Sequence, residues 1–177
     1  MAAGKYNDGS PAARERLTGR IYDAMVAADA ALTRGPLNQV AWKTHDLLPA
    51  VNPVFDRDRL QAMIADAKNA AANRIRPAMQ LSWLERIADK IPVPLSALHL
   101  DDTALLHLPA ESFVEYQLRA QSIAAGKFVA TAAYGDGGAW YIPTKEEYPK
   151  KGYEVSVANC SDGVDDLLSR GLRELLT

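Results

Sequence analysis

The sequence predicts an α/β fold, with α+β as the alternative arrangement, and three observations carry that reading. Two short apolar runs, VPLSALHL and TALLHLP, are separated only by Asp101-Asp102, the pattern of two strands joined by a tight turn. A helical segment from Ser112 to Ala125 then ends at Gly126, a residue suited to the position after a helix end. The next run, KFVATAAY over 127–134, is almost continuously apolar, as in a strand covered on both faces. Residues 103–134 thus read as strand, helix, strand, a crossover that joins parallel neighbours with right-handed connectivity. A mixed sheet flanked by amphipathic helices follows.

The remaining elements fall into place around that unit. Asn7-Asp8-Gly9-Ser10-Pro11 leads into a helix over about 11–33, with Leu17, Ile21, Met25, Ala28 and Leu32 at helical spacing, and Gly35-Pro36 stops it. Residues 38–48 look extended, with Val40 and Trp42 alternating against Lys43 and His45. Helices are predicted at about 56–71 and 74–90, the second with Ile75, Met79, Trp83 and Ile87 in one stripe and Pro77 in its first turn. Each is expected to lay one face on the sheet. Residues 135–152 read as loop, EVSVANC as a short edge strand, and 162–176 as a closing helix. Its inner face is Val164, Leu167, Leu168, Gly171 and Leu175, with Asp162 as N-cap.

Composition narrows the function classes. The 177 residues are 48% hydrophobic and 24% charged, with 20 basic against 22 acidic side chains and a net charge of −2. Such a chain is long enough for one domain with a sizeable core, and it lacks the basic stripe that a nucleic acid partner requires. No run approaches the ~18 apolar residues of a transmembrane segment. The N-terminus has no apolar stretch of the signal-peptide kind, which leaves localisation unassigned. Cys160 is the single cysteine, so no intrachain disulfide forms.

The segment Leu105–Glu154 is the most informative for chemistry. Glu111 follows a strand and is expected at the start of a helix, where by position alone a carboxylate serves as a capping acid. The loop expected beside it gathers Tyr134, Trp140, Tyr141, Tyr148 and Tyr153, with Gly135, Gly137 and Gly138 allowing tight turns. Glu111 and Tyr141 are expected to meet at the C-terminal edge of the sheet, with Tyr134, Asp136, Trp140 and Tyr148 around a substrate pocket. The same residues also suit an aromatic surface loop that packs on itself. His45, His99 and His107 lie on or beside apolar strands without the HxH or HExxH spacing of a zinc site, and are read as packed or surface residues. Gly135-Asp136-Gly137-Gly138 lacks the Lys-Ser/Thr of a phosphate loop. No serine has a convincing base partner.

Pro109-Ala110-Glu111-Ser112-Phe113, then Tyr141-Ile142-Pro143-Thr144-Lys145-Glu146-Glu147-Tyr148, then Tyr153-Glu154 form an ordered set that resembles the end of the catalytic region of neutral (non-lysosomal) ceramidases and their bacterial relatives. Those proteins are zinc-dependent amide hydrolases of sphingolipid metabolism. The resemblance is dense over 105–154 and looser over 4–60. It implies that the chain is a single domain over 1–177, the C-terminal portion of such a catalytic domain, with Glu111 and Tyr141 as metal ligands. A carboxylate oxygen is an ordinary zinc ligand, and a nearby cation favours the phenolate of a tyrosine. The family's two histidine ligands and its serine nucleophile lie in upstream motifs, and the opening Ala2–Gly9 looks like sequence just after the serine loop. The resemblance therefore implies an N-acyl or lipid-like amide substrate for a parent protein, and a missing N-terminal portion or a complementary chain that supplies the other half of the site. The chain alone is then expected to be inactive and to hold zinc weakly. The competing reading is a stand-alone α/β binding or interaction protein whose aromatic loop contacts a ligand or partner. An upstream in-frame stretch carrying paired histidines would separate the two.

Overall fold

A computed structural model describes residues 6–135 and 138–177. The chain separates into two compact units, residues 1–36 and 37–177. In the first, α1 (Pro11–Ala30) begins where Ser10 accepts the Ala13 N–H at 3.1 Å and Pro11 takes the first helical position, the two signals that start a helix. Asn7 and Asp8 accept from the N–H groups of Gly9 and Ser10 and shape the approach to it.

The second unit is built on a four-stranded mixed sheet in the order β1 (Val40–Leu47), β2 (Val93–Leu100), β3 (Thr103–Pro109), β5 (Phe128–Gly135). The first three strands form an antiparallel meander, and β5 joins β3 in parallel, with Ala104 opposite Val129 and Leu106 opposite Thr131. The expected α/β class and parallel strand–helix–strand unit are therefore present. Asp101 turns the β2–β3 hairpin with φ +49°, and its carboxylate accepts the N–H groups of Asn38 and Gln39.

Helices α4 (Val114–Ile123) and α6 (Val164–Leu176) pack on one face of this sheet. They bury Val93, Leu95, Ala97, Ala104, Leu106, Leu108, Tyr116, Leu168, Leu172 and Leu175. Gly171 lets α6 approach so closely that a Cβ there would sit 2.6 Å from Leu95 Cδ1 and 2.7 Å from His45 Cδ2. The opposite face carries an apolar row, Trp42, Leu98, Leu105 and Ala130, aligned by the strand register, with Trp42 61% and Leu105 43% exposed. Strand β5 is accordingly covered on one face only: Val129 is buried while Phe128 and Tyr134 are exposed. The continuous apolar run had suggested cover on both.

Other expectations are corrected locally. Helix α2 (Arg57–Ala65) packs on α3 (Ala71–Ala88); of the predicted α3 stripe, Trp83 reaches the core and Ile87 flanks it, whereas Ile75 and Met79 are exposed. Pro77 is interior to α3, because the helix begins at Ala71, earlier than its apolar stripe. EVSVANC forms no edge strand. Tyr153–Ser156 is a short helical turn, α5, and only Cys160 makes a bridge, with Val51. Residue Gly163, not Asp162, precedes α6; Asp165 and Asp166 occupy its first turn, where the helix dipole favours them. Among the described residues no helix is long and apolar enough to cross a membrane.

Candidate functional site

The site lies past the C-terminal ends of β3 and β5. Glu111 does not start the helix. It belongs to a two-residue strand, β4 (Glu111–Ser112), paired in parallel with β6 (Tyr141–Ile142), so that Glu111 stands opposite Tyr141 and Ser112 opposite Ile142. The Glu111 N–H donates to the Trp140 carbonyl at 2.8 Å and the Phe113 N–H to that of Ile142 at 3.2 Å. Helix α4 begins three residues after Glu111, behind Phe113, so the carboxylate is not needed as its cap.

Left-handed backbone concentrates here. Ala110 (φ +54°), Tyr134 (φ +64°) and Trp140 (φ +60°) are all non-glycine residues at positive φ, a conformation that costs such residues roughly 1–2 kcal/mol each. Each immediately precedes a residue that lines the site. Ala110 and Tyr134 interlock: the Tyr134 N–H donates to the Ala110 carbonyl at 2.7 Å, and the Ala110 N–H reaches the Gly135 carbonyl at 3.4 Å. This kink follows the irregularity in β3–β5 pairing between His107 and Pro109. His107 packs so tightly over Gly135 that no side chain fits at that position. Trp140 is held from the other side by the Arg76 guanidinium, 5.2 Å from its ring centroid.

The resulting open pocket of about 320 Å³ is lined by Ala110, Glu111, Tyr134, Gly135, Trp140, Tyr141, Tyr153 and Val157. Tyr134 donates its hydroxyl to Glu111 Oε1 at 3.1 Å. A hydrogen bond to the Glu111 carboxylate, then local desolvation, then the charge of that carboxylate push the Tyr141 phenol up to about 12. Local desolvation, followed by the same carboxylate, also raises Tyr134. Tyr153 meets Tyr141 edge to face, with centroids 5.9 Å apart and planes at 75°. A carboxylate facing two phenols is a set of oxygen donors: as it stands it holds both phenols protonated, and its chemistry fits a hard or borderline cation.

Four of the six residues expected at the site, Glu111, Tyr134, Trp140 and Tyr141, are brought together. Asp136 lies outside the described residues. Tyr148 does not line this pocket: it sits within the turn Lys145–Lys150, and its hydroxyl donates to the carbonyls of Cys160 (3.1 Å) and Ser161 (3.3 Å). Burial raises its phenol. Tyr153 and Val157 complete the wall. The clustered tyrosines had signalled Tyr153; Val157 had no signal, being read as part of a strand. Two of the histidines are engaged elsewhere: His45 Nδ1 lies 2.9 Å from Glu174 Oε2, and His99 Nε2 2.9 Å from the Leu175 carbonyl. Among the described residues, no group of three or more His, Cys, Asp and Glu side chains gathers so that it could hold a metal ion.

No protein-family model and no curated protein matches this chain. Solved structures that match in part include a ceramidase complexed with C2, at 20% identity and a TM-score of 0.43, over 48% of this chain and 14% of that one. Another is neutral ceramidase from Pseudomonas aeruginosa, at 21% identity and a TM-score of 0.38, over 48% of this chain and 15% of that one. The chain thus spans about one seventh of the length of either ceramidase.

Proposed function

We propose that this chain is part of a ceramidase-like amide hydrolase in which Glu111 and Tyr141 supply two oxygen ligands to zinc. The observation that carries the proposal is the register pair Glu111–Tyr141, held across β4–β6 by backbone that Ala110 and Trp140 keep in the left-handed region. Strain of this kind is retained where geometry matters more than stability. The ordered motifs 109–113, 141–148 and 153–154 support the same reading.

In this reading Tyr134 orients the Glu111 carboxylate by its hydrogen bond, leaving the other carboxylate oxygen for the metal. Tyr153 packs on the Tyr141 ring and fixes its plane. Trp140 and Ala110 form the sides of the pocket. Bound zinc would polarise an amide carbonyl and lower the pKa of a coordinated water. Two oxygen ligands make half of a tetrahedral sphere, so the remaining ligands and the nucleophile come from a further stretch of the same polypeptide or from a complementary chain. An N-acyl or other lipid-like amide is the substrate class proposed for the assembled protein.

Titration of the chain with zinc, followed by the tyrosinate ultraviolet difference band, tests the ligand assignment. A band should grow with affinity weaker than submicromolar and disappear in both Glu111→Gln and Tyr141→Phe. Zinc binding that neither substitution alters, or that depends on His45, His99 or His107, would refute it.

A further inference from the structure

The β4–β6 pair is only two residues long, and a ladder that short does not hold its own register. The chain leading into it is gripped from behind by one side chain. Asn159 is fully buried; its Nδ2 donates to the Gly138 carbonyl and its backbone N–H to the Ala139 carbonyl at 3.1 Å. The next carbonyl, of Trp140, accepts from Glu111. Three successive carbonyls before Tyr141 are thus satisfied, two by Asn159 and one by the residue Tyr141 must face.

Asn159 is gripped in the same two-pronged way. The Asn52 N–H donates to the Asn159 carbonyl at 2.9 Å, and Asn52 Nδ2 donates to the Ala158 carbonyl at 2.9 Å. Asn52 is itself buried, and its Oδ1 accepts the Val54 N–H. Two asparagines therefore connect the turn after β1 to the strand that carries Tyr141. The arrangement carries a cost: Asn159 Oδ1 is buried with no hydrogen-bond partner. A buried oxygen left without a donor is destabilising. An apolar side chain of similar volume would avoid that cost, so packing alone does not select asparagine at this position. The donor toward Gly138 does.

We infer that Asn159, backed by Asn52, is a positioning residue that fixes Tyr141 opposite Glu111. Its meaning for zinc chemistry rests on the proposed function; its effect on geometry does not, and the two can fail separately.

The test is amide exchange and ring cross-peaks by NMR on the whole chain, comparing Asn159→Leu and Asn52→Ala with the unsubstituted protein. In Asn159→Leu the Glu111 and Phe113 amides, which report the β4–β6 ladder, should exchange about tenfold faster or more, and the Tyr141 ring should lose its cross-peaks to Tyr153. The β2–β3 amides should stay within about threefold, a local response that general loosening would not give. Asn52→Ala keeps one of the two bonds to the 158–159 segment and should give the same pattern at about threefold on the ladder. Unchanged Glu111 and Phe113 exchange in Asn159→Leu, or equal acceleration everywhere in Asn52→Ala, would overturn the inference. Ladder loosening in Asn159→Leu, alongside an unsubstituted protein that shows no tyrosinate band with zinc, would uphold this inference and remove the metal reading alone.

Discussion

Replacing Asp165 by asparagine should loosen the segment that follows the candidate site, and its cost can be worked from the contacts. Asp165 is 4% exposed. Its carboxylate pairs with the Arg119 guanidinium through both oxygens, accepts the Lys145 N–H at 2.7 Å, and accepts the Ser169 hydroxyl at 3.2 Å. The group thereby joins α4, α6 and the stretch immediately after β6. Asparagine keeps the shape, loses the charge and turns one acceptor into a donor that faces donors. Breaking a fully buried ion pair costs about 3–5 kcal/mol. The Arg119 side chain is a third exposed, so the stranded guanidinium regains some water, and we expect about 2–3 kcal/mol. At about 2–4 °C per kcal/mol for a domain of this size, the Tm should fall by roughly 4–12 °C. Arg119→Ala should cost more, because the charge left behind is then the buried one. Replacing both by apolar residues of similar volume should recover most of the loss. Burial alone would raise the Asp165 carboxyl; the bonds from Arg119 and the Lys145 N–H outweigh it and hold it below the ordinary aspartate value of 3.8. A depressed folded value means that this contribution is complete above that value and is lost as pH falls through the folded one. Urea melts of the unsubstituted chain and Asp165→Asn at neutral pH and at decreasing acid pH therefore should converge. A difference under ~0.5 kcal/mol at neutral pH, within the usual range for surface substitutions, or one that grows on acidification, would refute the reasoning.

Two further outcomes are expected. Gly171→Ala gains helix propensity of about 1 kcal/mol but drives a methyl against Leu95, which is fully buried, and against His45. Overpacking costs about 1–3 kcal/mol, so a net loss of up to about 2 kcal/mol should appear in urea melts, and a stabilised variant would show that α6 can shift. Tyr141 should titrate near 12 with the Glu111 carboxylate beside it and move back toward the ordinary value of about 10 in Glu111→Gln, read by alkaline spectrophotometric or NMR titration. A raised phenol value means this coupling is intact below the ordinary tyrosine value and is lost as pH climbs to the folded one; an unchanged value in Glu111→Gln would dissociate the pair.

What the sequence disclosed follows the range of the interactions. Strands β1 to β3 and helix α6 were legible because their signals are local: alternation along Val40–Leu47, the Asp101-Asp102 turn, the spacing of Val164, Leu168 and Leu175. The Glu111–Tyr141 meeting was legible because a parallel crossover puts both at one sheet edge. What was not legible depends on partners distant in the chain. Glu111 was taken for a helix start since nothing near it reveals that its N–H goes to Trp140. Tyr148 resembled a pocket residue until the turn Lys145–Lys150 carried its hydroxyl to Cys160. Asn159 gave no signal at all, because an asparagine in a segment read as an edge strand is ordinary until its two donors are traced to Gly138 and Ala139.

The interlock of Ala110 with Tyr134 has a kinetic consequence. The β2–β3 hairpin can assemble from neighbouring segments, but the interlock needs β5 already seated against β3 across the intervening α4, a closure whose entropic cost precedes its reward. The pocket therefore forms after the hairpin, absent from any species in which only β2–β3 have paired. Substitutions at Ala110, Tyr134 or Trp140 should act chiefly on the unfolding rate, as expected of contacts formed after the transition state. The site would then open before the β2–β3 hairpin and close after it.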